Sequence, residues 1–152
     1  MTLHPAPATA ILSDVRVEAA SVVEKARRVL AAGPPLCLAA LFGSIARGEG
    51  RPDSDVDIAI VPVDPELTLA DEMDLQFALE QAIGRTVDLV RLDHGSTLLR
   101  FRVARDGVPI LARSPVDWTR FQARAAAQWC DEGPALEHAA ERFRRRLAEE
   151  AR

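Results

Sequence analysis

The sequence predicts an α/β (α+β) domain built on a mixed four-stranded sheet, with flanking helices and two C-terminal helices. Three observations carry that reading. Apolar runs of strand length alternate with stretches of helical period, which is the pattern of a sheet covered by helices. The chain has 152 residues, 48% of them hydrophobic and 28% charged, which suits one soluble domain able to bury a core without disulfide staples. Only ten residues separate Ser44 from Asp55, too few for a parallel crossover helix. The first two strands therefore return antiparallel, and the sheet is mixed.

The elements follow in order. Residues 1–10 hold two prolines and no periodicity, and are expected to be a mobile N-terminal tail. Ile11, Val15, Ala19, Val22, Ala26 and Val29 repeat at steps of three and four, an amphipathic helix that Gly33 and Pro34-Pro35 end. Leu36 to Phe42 is a continuous apolar run of strand length, and Asp55 to Val61 is a second strand with β-branched bulk at alternate positions. Thr68 can cap a helix from Leu69 to Ile83, with Asp71 and Glu72 in its first turn and Gly84 at its end. Thr86 to Leu92 makes a third strand, Ser96 caps a short helix to Arg105, and Val108 to Leu111 makes a fourth. Ser114-Pro115 opens a helix carrying Trp118, Phe121, Ala125 and Trp129, which Gly133-Pro134 is expected to break. A last helix then carries Leu136, Ala140, Phe143 and Leu147. The chain divides into the tail, a sheet-bearing domain over 11–113, and a helical extension over 114–152 packed on that domain.

Composition narrows the function. A net charge of −4 has the wrong sign for a dedicated nucleic-acid binder, so no direct nucleic-acid binding is expected. In the last helix Arg142, Arg144, Arg145 and Arg146 interleave with Glu137, Glu141, Glu149 and Glu150, a solvated, self-paired face. No apolar run reaches membrane-span length and the N-terminus lacks a signal-peptide layout, which points to the cytoplasm. Cys37 and Cys130 have no metal-ligand spacing and read as reduced, buried thiols. The scarce aromatics gather in the C-terminal helices, where they either close the core or leave a face open to another protein.

The chemistry lies between Phe42 and Asp57. A buried strand ends at Gly43, where a glycine lets backbone approach a ligand. Ser44 opens a short turn through Arg47 whose backbone N–H groups can meet an anion. Asp55 and Asp57 stand two apart at a strand and so share a face. Alone they could be strand-end turn chemistry, but two adjacent carboxylates call for a cation, and Mg²⁺ takes oxygen ligands. Asp88 puts a third acid amid the apolar residues of the third strand, costly to bury unless paired or coordinating. Three acids opposite a phosphate-binding turn outline a two-metal phosphoryl or nucleotidyl transfer site. Arg47 either contacts phosphates or pairs with Glu49 or Asp53.

Gly43-Ser44, ten residues, then Asp55-x-Asp57 resembles the GSx10DxD signature of the polymerase-beta-type nucleotidyltransferase superfamily. The string FGSIARGEGRPDSDVDIAIV is similar to its minimal nucleotidyltransferase (MNT) branch, the antitoxin-like partners of HEPN-domain toxins. The resemblance implies a polymerase-beta-like fold, with Gly43, Ser44 and Arg47 on the nucleotide. It also implies two Mg²⁺ ions on Asp55, Asp57 and Asp88, the three catalytic acids, and ATP as substrate. The implied activity is transfer of AMP to a hydroxyl of a cognate HEPN toxin, tyrosine being the expected acceptor, in a type VII-like antitoxin. Two other functions stay open: a small-molecule (antibiotic) nucleotidyltransferase, for which few residues follow Asp88, and an antitoxin that neutralises by binding without catalysis. The chain contains no tyrosine, so tyrosine self-modification is excluded.

Overall fold

The computed structural model describes residues 8–150. Its elements run α1 (Ala8–Ala32), β1 (Leu36–Phe42), α2 (Gly43–Arg47), β2 (Val56–Pro62), α3 (Leu69–Ile83), β3 (Val87–Arg91), α4 (Thr97–Asp106), β4 (Val108–Ala112) and α5 (Pro115–Glu150). The four strands lie in the order β3-β2-β1-β4. β1 is antiparallel to both β2 and β4, while β2 and β3 are parallel and joined through α3. The sheet is mixed for the reason expected: the short link after β1 forces an antiparallel return, whereas a helix-length link after β2 permits a parallel one.

Period-two alternation sorts the strands between two cores. Val56, Ile58 and Ile60 of β2 face Val22, Ala26 and Leu30 of α1 and Leu75 and Leu79 of α3. Ala59, with Leu38 and Ala40 of β1, faces Val103 of α4 and the half-buried Trp118 and Phe121 of α5. The β4 edge of the sheet is managed. Pro109 sits on edge strand β4, where a missing N–H costs no ladder bond. Arg27 of α1 reaches across to donate Nε to the Ile110 carbonyl at 2.9 Å, occupying an acceptor that an edge would otherwise offer to another chain. The expected cap on α3 is a full capping box: the Thr68 hydroxyl accepts from the Asp71 N–H, and the Asp71 carboxylate accepts from the Thr68 N–H.

Four expectations are corrected. The first helix begins at Ala8, so residues 8–10 are helical and not tail; residues 1–7 lie outside the described ones. The second strand starts at Val56, one residue late, because Asp55 precedes the first β2–β3 pair, Val56↔Val87. The two C-terminal helices are one, with Pro134 inside it. The Trp129 ring lies so close over Gly133 that a Cβ there would meet ring carbons at 2.8 Å. This packing, with the stack of Trp129 on Phe101 at 4.9 Å between centroids, holds the turn that the proline would otherwise open. Both tryptophans thus have intramolecular packing. Finally, Cys37 is half-buried and Cys130 exposed, both as free thiols.

The parallel β2–β3 unit is tied down by Arg91, whose side chain is 8% exposed. It donates to both Asp93 carboxylate oxygens, to Glu72 of α3 at 2.9 Å, and to the Pro65 and Leu67 carbonyls. Hydrogen bonding from Arg91 holds the Asp93 carboxyl below its ordinary value. Arg91→Met is expected to cost about 2 kcal/mol, below the figure for a fully buried pair because both acids keep some water contact. A depressed carboxylate stabilises above its unfolded pKa and loses that contribution as pH falls through the folded one. The melting-temperature gap between wild type and Arg91→Met should therefore be full near neutrality and shrink in acid, below about pH 4, when followed by circular dichroism.

Candidate active site

The site forms where three strand ends meet. β1 finishes at Phe42, whose register partner on β2 is Asp57, and Asp57 is in turn level with Asp88 on β3. The chain leaves Phe42 into Gly43 at φ 73°, a left-handed conformation that only glycine adopts cheaply. A Cβ at Gly43 would lie 2.8 Å from Asp57 Cγ and closer still to Oδ2. Glycine is therefore required twice here, by dihedral and by contact. No side chain caps the start of α2, which leaves the first N–H groups of the turn, around half-buried Ser44, for water or a ligand.

The predicted acids are brought together. Asp57 is half-buried, while Asp55 and Asp88 are exposed. Burial pushes the Asp57 carboxyl above its ordinary value, the charges of Asp88 and Asp55 push it further, and Arg47 partly offsets them. Asp88 departs from the expectation of a buried charge: β3 is an edge strand, and its first residues are open to water beside buried Val87. Arg47 closes α2 and pairs with Glu49 at 3.0 Å, so of the readings left open the Glu49 pair is the one formed, with the guanidinium still near enough for its charge to reach Asp57.

Sequence reasoning missed Arg85. From the turn before β3 it ion-pairs with Glu18 of α1 and donates to the Arg51 carbonyl at 2.8 Å and to the Ser54 carbonyl. Ser54 also accepts the Arg51 N–H through its hydroxyl at 2.8 Å. The segment leading into Asp55 is thus pinned from two sides. The partners stand 31 to 67 residues away, so no local pattern marks the residue.

No group of three or more His, Cys, Asp or Glu among the described residues is placed to hold a metal ion unaided. The donor set nonetheless fits a hard cation. Mg²⁺ is commonly held by one or two carboxylates together with substrate phosphates, and the burial and neighbouring acids that raise the Asp57 carboxyl are costs that a cation there would offset. Two sizeable cavities lie elsewhere. One of about 680 Å³ between α1, α2 and β4 meets the site only at Arg47 and its neighbours, and one of about 850 Å³ runs between α4 and α5. Of the acids themselves, Asp55 and Asp88 are open to water.

A mixed sheet of this order carrying Gly-Ser and Asp-x-Asp at one edge defines a nucleotidyltransferase. Residues 24–116 match the sequence family described as Polymerase beta, Nucleotidyltransferase, and the chain belongs to that family. MJ0435 of Methanocaldococcus jannaschii, named for protein adenylyltransferase activity, is 34% identical over 73 residues, 48% of this chain and 77% of that protein. Among solved structures, a chain of a toxin–antitoxin crystal structure with AMP-PNP matches with TM-score 0.66 and 26% identity, over 78% of this chain and 98% of that one. A chain of the tri-AMPylated Shewanella oneidensis HEPN toxin in complex with its MNT antitoxin matches with TM-score 0.58 and 22% identity, over 83% of this chain and 98% of that one, a likeness of fold. The resemblance read from the Gly-Ser and Asp-x-Asp spacing is borne out.

The contact at Gly43 gives a sharp test. Gly43→Ala should abolish nucleotide transfer by displacing the Asp57 carboxylate, while costing stability on the order of 1–2 kcal/mol for the left-handed alanine. Parallel melting curves and transfer assays check both expectations.

Proposed function

We propose that this protein is a Mg²⁺-dependent protein adenylyltransferase that moves AMP from ATP to a tyrosine hydroxyl of a cognate HEPN-domain toxin, acting in the cytoplasm as a type VII-like antitoxin. The observation that carries the reading is the row Phe42–Asp57–Asp88 with the Gly43 backbone pressed on Asp57. In this reading the Gly43–Arg47 turn takes phosphate, and the half-buried Asp57 carboxylate beside it shares the ligand. The adenylyltransferase name of the archaeal relative and the AMP-PNP-bound toxin–antitoxin neighbour support the substrate and the kind of partner.

In this mechanism the N–H groups at Gly43 and Ser44 hold the triphosphate, and Arg47 swings from Glu49 to a phosphate oxygen, an exchange that an exposed ion pair permits cheaply. Asp55, Asp57 and Asp88 would hold two Mg²⁺ ions. The chemistry that such ions supply is a lowered pKa at the attacking hydroxyl and neutralised charge on the leaving oxygens. Asp88, exposed beside Asp57, helps to take the proton of the acceptor hydroxyl. The hydroxyl oxygen then bonds to the α-phosphorus in line as the bond to pyrophosphate breaks. The protein contributes position and electrostatics, with no covalent intermediate.

The experiment is incubation with ATP labelled at the α-phosphate, Mg²⁺ and a candidate HEPN-domain partner protein. Label should appear on tyrosine of the HEPN protein and vanish in chelator; absence of label on that protein overturns the reading. Asp55→Ala with Asp57→Ala should abolish transfer without unfolding the domain, since it removes mutually repelling carboxylates. If that double variant still neutralised the toxin fully, binding and not catalysis would be the antitoxin's means.

Asp88→Asn keeps shape and hydrogen-bonding capacity but loses the charge. Turnover is expected to fall by about two orders of magnitude or more with an unchanged melting temperature. Wild-type turnover in a folded Asn variant would make Asp88 an ordinary edge acid.

A further inference from the structure

The distal half of α5 carries an apolar row that other described residues cover only at its start. Trp129, Gly133, Leu136, Ala140, Phe143 and Leu147 follow one another at steps of four, three, four, three and four. That is the strict heptad seam of a coiled coil, narrower than the stripe of a helix lying on a sheet. α4 closes only its beginning, where Trp129 stacks on Phe101 and Glu132 accepts from the Thr97 hydroxyl. Beyond that, a groove of about 850 Å³ runs between α4 and α5, and Leu136, Phe143 and Leu147 are 44%, 61% and 48% exposed.

The charges beside the seam are segregated. Residues 131–141 hold four acids (Asp131, Glu132, Glu137, Glu141) and no lysine or arginine, whereas residues 142–146 hold four arginines and no acid. Within the chain, Glu141 pairs with Arg144 and Arg145; no ion pair is formed by Glu137, Arg142 or Arg146 among the described residues. Two copies aligned in parallel would set acid on acid and arginine on arginine. Aligned antiparallel, each acidic half meets the other's basic half, and the bulk of Leu136 falls near the small Ala140 of the other copy. The remaining exposed apolar row, Leu69, Met73 and Phe77 of α3, lies on a helix whose only charged residues are acids, so it repels its own copy.

We propose that α5 is a self-association element: two copies of this chain pair through residues 129–147 as a two-fold, antiparallel helical seam. The inference is independent of the catalytic reading, and its test reads mass and orientation. Sedimentation of the full chain should give twice the 16.6 kDa chain mass. Leu136→Glu with Phe143→Glu should give the single-chain mass with an unchanged far-ultraviolet spectrum, because both residues are exposed. A single-chain mass for the wild type overturns the proposal and leaves the seam to a different protein; so does a dimer that survives the double variant. Orientation is read by mild oxidation. In the antiparallel pair the two Cys130 residues stand roughly 24 Å apart along the seam and should not cross-link, whereas Cys130→Ser with Ala139→Cys should. Cross-linking through Cys130, and none through the residue 139 cysteine, makes the pair parallel and overturns the proposal.

Discussion

The structure turns on the close approach of the Gly43 backbone to the Asp57 carboxylate. Because residue 43 has no Cβ and sits at φ 73°, β1 can end against its neighbour's side chain and turn at once into α2. That single contact fixes the hand of the turn, the register Phe42↔Asp57 and the position of Ser44. Everything around it serves to keep two incompatible demands together. The carboxylate must lie against the turn, yet among the described residues it forms no ion pair with a basic side chain.

That second demand explains the charge layout. Asp57 is stressed by burial and by two neighbouring acids, and the nearest arginine is engaged with Glu49. The fold bears this local cost because stabilising arginines sit just outside the acid row. Arg91 fastens β3 to α3 and to the segment after β2, and Arg85 fastens the segment before Asp55 to α1. Both are largely buried, at 8% and 17% side-chain exposure, and apart from Arg85 Nε their donors end on carbonyls and carboxylates, which suits the planar guanidinium fork better than a lysine. The acid row is thus held by neighbours that do not neutralise it.

The local grammar of the chain was legible in its order. Strand β1, the Thr68 cap and the Gly84 stop were all readable because each is decided within a few residues. The mixed sheet followed from one loop length, and the candidate acids Asp55 and Asp57 from Gly-Ser and Asp-x-Asp spacing. What escaped were features decided across the fold. Arg85 meets Glu18 across 67 residues, Asp88 is wet because β3 became an edge, and Cys130 is exposed because α5 runs past the sheet. Each depends on which element lies beside which, and periodicity carries no such information.

The continuity of α5 shows how a local rule loses to packing. Gly133-Pro134 reads as a break, since proline removes one hydrogen bond and glycine adds backbone freedom. Yet Gly133 is the place where the Trp129 ring lies against the helix backbone, a contact that any side chain would obstruct, and Trp129 is itself stacked on Phe101 of α4. Pro134 faces outward, and Cys130, whose carbonyl loses its helical donor, is exposed, where water can replace the bond. The cost of the proline is therefore partly returned by solvent, and that of the glycine by an aromatic contact that only glycine allows. A break at this point would have ended the domain at the sheet. Continuity instead carries the heptad spacing unbroken from Trp129 to Leu147, which is the condition for the distal helix to present one apolar seam.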